Sequence, residues 1–129
     1  MLLVDTSVWI EVFARPARLR LDDVADFDEV VTALPVVQEV LQGFRDERAF
    51  AVAREAMLSL PILESPLTAD VVVDAAQLYR AARRAGLTVR SGVDCLIGAC
   101  ALRHGATIVH RDRDYDALAR VSALSVRRV

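Results

Sequence analysis

Five acids, Asp5, Glu39, Asp94, Asp112 and Asp114, stand out in a sequence otherwise poor in reactive groups. Other routes to chemistry close quickly. The chain has no lysine and no asparagine, which excludes a P-loop and the lysine-dependent phosphorylation site of a receiver domain. His104 and His110 complete no familiar zinc spacing and read as surface or rim residues. Cys95 and Cys100, five positions apart, point about 140° away from each other on a helix, so they cannot pair and read as small core residues. Carboxylates remain. Several of them within a few ångströms repel and take up protons unless a cation relieves them. Oxygen-only ligands select a hard ion such as Mg²⁺ or Mn²⁺. One or two such ions polarise a phosphodiester and activate water for in-line hydrolysis, with no histidine or cysteine needed.

The acids can meet only if the secondary structure carries them to one place. Leu2–Asp5 reads as a short buried strand, followed by a helix from Thr6 to about Phe13. Arg15–Asp28 is polar and irregular, and the five acids of Asp22–Glu29 read as a solvated loop. Glu29–Ala33 forms a second strand, and Pro35 suits the first turn of a helix running through Val36–Phe44. A helical pattern over Asp46–Leu60 precedes a short strand at Pro61–Glu64. The clearest helix spans 68–85, with Thr68 as N-cap, Asp70 in its first turn, Arg83 and Arg84 in its last, and Gly86 beyond. Then come a helix at Val93–His104 stopped by Gly105, a strand at Thr107–His110, a helix at Tyr115–Val121 and a strand at Leu124–Arg127. Short apolar strands alternating with helices imply a parallel sheet covered on both faces. The expected fold is α/β: one three-layer α/β/α domain over residues 1–129 with a short central parallel sheet.

Ligands of such a sheet gather outside the carboxyl ends of its strands. Asp5 ends the first strand, and Asp112 follows the Thr107–His110 strand by two residues. Glu39 lies in the second turn of the helix leaving the second strand. Asp94 opens a helix that feeds a strand through a two-residue loop, so its start lies on the same rim. Each acid also has a structural alternative. Asp5 can cap the first helix, and Asp94 can close a capping box with Ser91. Glu39 can be solvated, and Asp112 and Asp114 are common turn formers. Their joint placement on one rim points to function.

With 129 residues, 54% of them hydrophobic, the chain can bury a core without staples. A net charge of −2 argues against an indiscriminate nucleic-acid binder. The distribution is skewed, however: residues 1–79 hold six arginines against fourteen acids, and 80–113 hold seven against two. This skew can seat a polyanion or simply solvate a helix face. Arg111 and Arg113 can hold a phosphate or pair with Asp112, Asp114 or Asp116. Trp9 can stack on a base, pack its own helix or meet a partner. The N-terminal apolar run is three residues long and no stretch approaches ~20 apolar residues, so a cytoplasmic chain without signal peptide or membrane span is expected.

Four segments carry a family resemblance. Leu3-Val4-Asp5-Thr6-Ser7-Val8-Trp9-Ile10 resembles the opening of a VapC-type PIN domain, and Val37-Gln38-Glu39-Val40-Leu41-Gln42-Gly43 its second motif. Asp94-Cys95-Leu96-Ile97-Gly98-Ala99 and His110-Arg111-Asp112-Arg113-Asp114-Tyr115 resemble the third and fourth. The resemblance covers essentially the whole chain. It implies a Mg²⁺- or Mn²⁺-dependent endoribonuclease toxin that cuts cellular RNA and arrests translation, forms a homodimer and is blocked by a small cognate antitoxin. It makes Asp5, Glu39, Asp94 and Asp112 the metal-coordinating acids, lets either or both of Asp112 and Asp114 face the metal, and gives Thr6 or Ser7 a nearby hydroxyl. The rivals are weaker. A haloacid-dehalogenase-like phosphatase needs an acid where Ser7 stands, and a dinucleotide site needs glycines after the first strand. The alternative of another class is a non-catalytic PIN-like module that binds RNA or a partner.

Overall fold

A computed structural model describes all of residues 1–129. Five strands form one parallel sheet in the order β3-β2-β1-β4-β5. They are β1 (Leu2–Val4), β2 (Val30–Ala33), β3 (Ile62–Leu63), β4 (Thr107–His110) and β5 (Ser125–Arg128). Leu3 pairs with Val31 on one side and Ile108 on the other. Every residue of β1 and β2 is buried, the pattern expected of strands covered on both faces. Six helices flank the sheet: α1 (Thr6–Phe13), α2 (Leu34–Leu41), α3 (Glu47–Leu58), α4 (Ala69–Arg84), α5 (Gly92–His104) and α6 (Arg113–Arg120). This is the expected three-layer α/β/α architecture. No helix is long and apolar enough to cross a membrane.

Three local departures matter. First, α2 ends at Leu41 instead of Phe44: the N–H of Gln42 closes back on Gln38, and Gly43, a weak helix former, follows. Phe44 then turns aside and meets Phe13 edge-on at 5.7 Å. Second, α6 begins at Arg113, two residues before the expected Tyr115, because the Asp112 side chain caps it by accepting the Asp114 N–H. Asp114 and Tyr115 thereby enter the first turn, and both are buried. Third, Arg15–Asp28 is not wholly irregular, since single 3₁₀ turns form at Leu21–Asp23 and, overlapping its end, at Phe27–Glu29. Glu29 therefore precedes β2 rather than joining it.

The core collects β1, β2, β4 and the inner faces of the helices. Cys95 and Cys100 are buried and unpaired, as their spacing requires. His110 corrects the sequence reading: it is fully buried. It is the last residue of β4, a strand buried on both faces, and its ring packs 5.2 Å from that of Tyr115. Trp9 is buried as well, and its indole N–H donates to the Val4 carbonyl at 3.0 Å, which withdraws it from any base. Trp9, Val37 and Val40 lie in the core, whereas Val12 and Phe44 pack at its edge.

Candidate metal centre at the carboxyl rim

The chain reverses its direction of strand addition at β1: β2 and β3 extend the sheet on one side, β4 and β5 on the other. The crevice outside the carboxyl ends at such a switch is where an open α/β sheet takes its ligand. Asp5 stands there, its N–H donating to Val109 of β4 at 2.9 Å. Both readings of Asp5 hold together. As N-cap of α1, its Oδ2 accepts the Ser7 N–H at 2.9 Å and the Ser7 hydroxyl at 2.5 Å. Its Oδ1 accepts the Tyr115 phenol at 2.6 Å. Ser7 Oγ in turn accepts the N–H of Arg111 at 2.9 Å, joining the end of β1 to the end of β4.

Asp94 sits in the first turn of α5 and is buried. The capping box is not formed, for Ser91 makes no side-chain cap bond. One carboxylate oxygen, Oδ1, has only a 3.4 Å contact from the Tyr115 phenol, and Oδ2 is buried with no hydrogen-bond partner. An orphaned buried acceptor is costly and calls for an explanation such as an ion. Carboxylate oxygens of Asp94, Asp112 and Asp114 all lie within 4.8 Å of one another. Burial, then the adjoining Asp114 carboxyl, then the charges of Asp5, Asp112 and Asp114 push the Asp94 carboxyl up to about 8. Without a cation it holds a proton at neutral pH.

Asp112 and Asp114 both belong to this tight set. Asp112 Oδ1 accepts the Asp114 N–H and Arg90 Nη2, each at 2.9 Å. Asp114 Oδ2 accepts the N–H groups of Arg90 at 3.0 Å and Ser91 at 3.2 Å, so it clamps the loop that delivers Asp94. Asp5 and Glu39 stand beside the set rather than within it. Glu39 Oε1 accepts the Thr6 hydroxyl at 3.0 Å. Its carboxyl is raised chiefly by burial, eased by the Thr6 bond and raised again by Asp5 and Asp112. Thr6 and Ser7, expected to offer hydroxyls to substrate, are thus turned onto Glu39 and Asp5.

Of the two readings of the flanking arginines, phosphate binding and local pairing, the structure does not show the local pairs. Arg111 Nε donates to the Val129 carbonyl at 3.1 Å. Arg113 is exposed. Neither pairs with the acids beside it: Asp112 and Asp114 face Arg90, and Asp116 faces Arg128. Arg90, Tyr115 and His110 are the site residues that sequence reasoning missed. His110 Nδ1 accepts the Asp112 N–H at 3.2 Å, while its Nε2, 3.5 Å from Asp116 Oδ1, makes no hydrogen bond. Only Arg90 had a signal, the arginine-rich stretch 80–113. A carboxylate-only donor set with one orphaned buried oxygen fits a hard divalent cation, held by Asp94, Asp112 and Asp114 with Asp5 and Glu39 close by.

The PIN domain family model matches residues 2–121. The chain is 40% identical over 132 residues to VapC ribonuclease Mb1587 of Mycobacterium bovis, an alignment covering 96% of each chain. Ribonuclease VapC11 of Mycobacterium tuberculosis matches equally, at 40% identity and 96% of each chain. Among solved structures, DNA-bound VapBC from Salmonella typhimurium aligns with a TM-score of 0.76 at 17% identity, over 98% of this chain and 96% of that one. Mycobacterium tuberculosis VapC20, a sarcin–ricin loop cleaving toxin, aligns with a TM-score of 0.68 at 22% identity, over 97% and 99%. Similarity at this level of identity shows a shared fold.

Proposed function

We propose that this chain, which belongs to the PIN-domain family, is a VapC-type toxin: a cytoplasmic endoribonuclease that hydrolyses RNA with Mg²⁺ or Mn²⁺ and is neutralised by a small cognate antitoxin. On this reading residues 1–129 act as one nuclease domain. The observation that carries it is the orphaned Oδ2 of Asp94 inside a carboxylate set spanning 4.8 Å. A module that only binds RNA or a partner gains nothing from an acid held protonated by burial and by its acidic neighbours. Asp94, Asp112 and Asp114, with Asp5 and Glu39, would hold the cation, which when bound would supply charge neutralisation at the phosphodiester and activation of water.

The chain's own groups do the rest. Ser7 and Tyr115 fix the two oxygens of Asp5, and Thr6 fixes Glu39. Asp114 holds the start of α5. Arg111 and Arg113, on the same rim, carry positive charge toward the RNA backbone. The groove between α1 and α2, lined by Ile10, Phe13, Val40 and Phe44 with Arg15 and Arg18 at its edge, supports an apolar antitoxin segment with acidic flanks. The exposed Val72, Val73, Tyr79 and Val93 of α4 and α5 support a homodimer.

The test is cleavage of RNA by the purified protein. Mg²⁺ or Mn²⁺ should support it, EDTA should stop it, and the product should carry a 5′-phosphate. A 2′,3′-cyclic phosphate would defeat the mechanism, because it requires attack by the ribose hydroxyl.

A further inference from the structure

We propose that Arg90 is an RNA-phosphate anchor held in store on the metal-site acids: its guanidinium neutralises Asp112 and Asp114 while the cation is absent and turns to a substrate phosphate once the cation is bound. The inference rests on the nuclease reading above and deepens it by naming a residue that meets the substrate.

The two halves of Arg90 are held differently. Its N–H donates at 3.0 Å to Asp114 Oδ2, and the N–H of Ser91 donates to the same oxygen at 3.2 Å. That clamp is anchored on the buried Asp114 carboxylate and does not involve the guanidinium, so the backbone stays in place whatever the side chain does. The side chain is 52% exposed. Its Nη2 lies 2.9 Å from Asp112 Oδ1, and its Nε only 3.4 Å from Asp114 Oδ1, a long and weak contact. Exposed ion pairs of this kind shift an equilibrium by a factor of about five at most. The guanidinium is close at hand but loosely kept.

A divalent cation would displace it. Both lone pairs of Asp112 Oδ1 are in use, one by the Asp114 N–H and one by Arg90, so a cation on Oδ1 competes with the guanidinium directly and one on the neighbouring Oδ2 repels it. A cation taking a carboxylate oxygen at roughly 2.1 Å carries twice the charge of a guanidinium at 2.9 Å, so its attraction is about threefold greater. The displaced guanidinium then has solvent or phosphate as its partner. Its planar fork matches two phosphate oxygens, and the cation that displaced it draws RNA to the same rim. Arg111, by contrast, has its Nε committed to the Val129 carbonyl. Arg90 is the one arginine in ion-pair contact with the acids of the tight set.

The experiment compares wild type with Arg90→Gln and Arg90→Lys. Mn²⁺ binding is measured by calorimetry on protein alone, then initial rates on a single-stranded RNA oligonucleotide at saturating Mn²⁺. Arg90→Gln removes the competing charge and should tighten Mn²⁺ binding by about fivefold. It should also raise KM for RNA by about tenfold, the loss of one charged phosphate contact, and leave kcat within about threefold. Arg90→Lys keeps a charge without the fork, so its Mn²⁺ affinity should stay near wild type while KM rises severalfold. A residue that merely shapes the loop would not tighten the metal. Unchanged or weaker Mn²⁺ binding by Arg90→Gln, or a wild-type KM in either variant, overturns the inference and leaves the nuclease reading standing. Should Arg90→Gln fail to fold, the KM of Arg90→Lys decides. A wild-type protein that neither binds Mn²⁺ nor cuts RNA takes down both.

Discussion

The Tyr115 phenol donates to Asp5 Oδ1 at 2.6 Å and lies 3.4 Å from Asp94 Oδ1. One buried hydroxyl thus stands between two acids that arrive from opposite ends of the chain. It has a single proton, so the shorter bond to Asp5 takes it. Burial, with the charges of Asp5 and Asp94, raises the phenol well above its ordinary range, so it remains a donor at any pH the protein meets. With Ser7 on the other oxygen, Asp5 is oriented from both sides.

Tyr115→Phe keeps the ring against His110 and removes only that donor. Asp5 Oδ1 then loses its donor. Stability should fall by about 1–3 kcal/mol, as for a buried acceptor stripped of its partner. Cleavage should slow with it, because Asp5 is free to turn. Urea unfolding and initial rates on one RNA substrate check this; an unfolding midpoint equal to wild type would mean that the bond contributes nothing.

Why the sequence announced the acids but not their supporters follows from how each kind of residue signals. Asp5 and Asp112 close apolar strands, and a carboxylate at a strand's carboxyl end is conspicuous wherever the sheet is parallel. Glu39 and Asp94 could be placed from helix direction alone. In the sequence Tyr115 looks like an ordinary core residue and His110 like a rim residue, and their roles exist only once α6 starts at Arg113 and turns the tyrosine ring inward. That start depends on the Asp112 cap, which competes with Asp112's role in the site and is not visible in a periodicity. Arg90 lies in a loop, its one signal the arginine-rich stretch 80–113. Its place is set by Asp114, twenty-four residues away, through hydrogen bonds that only the folded chain makes. For Trp9 the sequence leaves stacking on a base, packing and partner contact open, and the fold takes packing, with the indole N–H on the Val4 carbonyl.

Ser7→Ala tests the tie between β1 and β4. The hydroxyl donates to Asp5 at 2.5 Å and accepts from Arg111 at 2.9 Å, so its loss leaves Asp5 Oδ2 with the Ser7 N–H alone and the Arg111 N–H to find water. Thermal melts should show a loss of roughly 1–2 kcal/mol, and cleavage should fall more than stability does, since Asp5 keeps only its Ser7 N–H and Tyr115 bonds. Equal melts for the two proteins would refute the tie.

Trp9→Phe separates packing from base stacking. Phe retains most of the core contact and the stack on Phe13, but the Val4 carbonyl loses its donor. Stability should fall by about 1–3 kcal/mol while KM for RNA stays unchanged. A raised KM in a protein of wild-type stability would restore Trp9 to the RNA-binding surface.

Asp94→Asn joins stability, pH and function in one measurement. The folded protein holds the Asp94 proton up to about pH 8, whereas the ordinary value for the side chain is 3.8. Between those values folding takes up a proton, so raising the pH from about 4 toward 8 lowers the stability of the metal-free fold. Below about 4 both states hold the proton, and above about 8 neither does, so the whole penalty is then in force. Asn carries no charge at any of these pH values. Its stabilising effect should therefore be small at pH 4 and grow to about 1 kcal/mol or more by pH 7.5. The cation needs the same carboxylate deprotonated, so Mg²⁺ should bind wild type more tightly as the pH approaches 8, and the variant should lose both cleavage and most of its Mg²⁺-induced melting shift. If Asp94 served only the helix start, Asn would instead cost a few tenths to ~1 kcal/mol and leave the Mg²⁺ shift intact. Melts of both proteins at pH 5 and 7.5, in EDTA and in Mg²⁺, distinguish the two. A variant that melts below wild type in EDTA yet keeps its full Mg²⁺ shift would remove Asp94 from the metal centre.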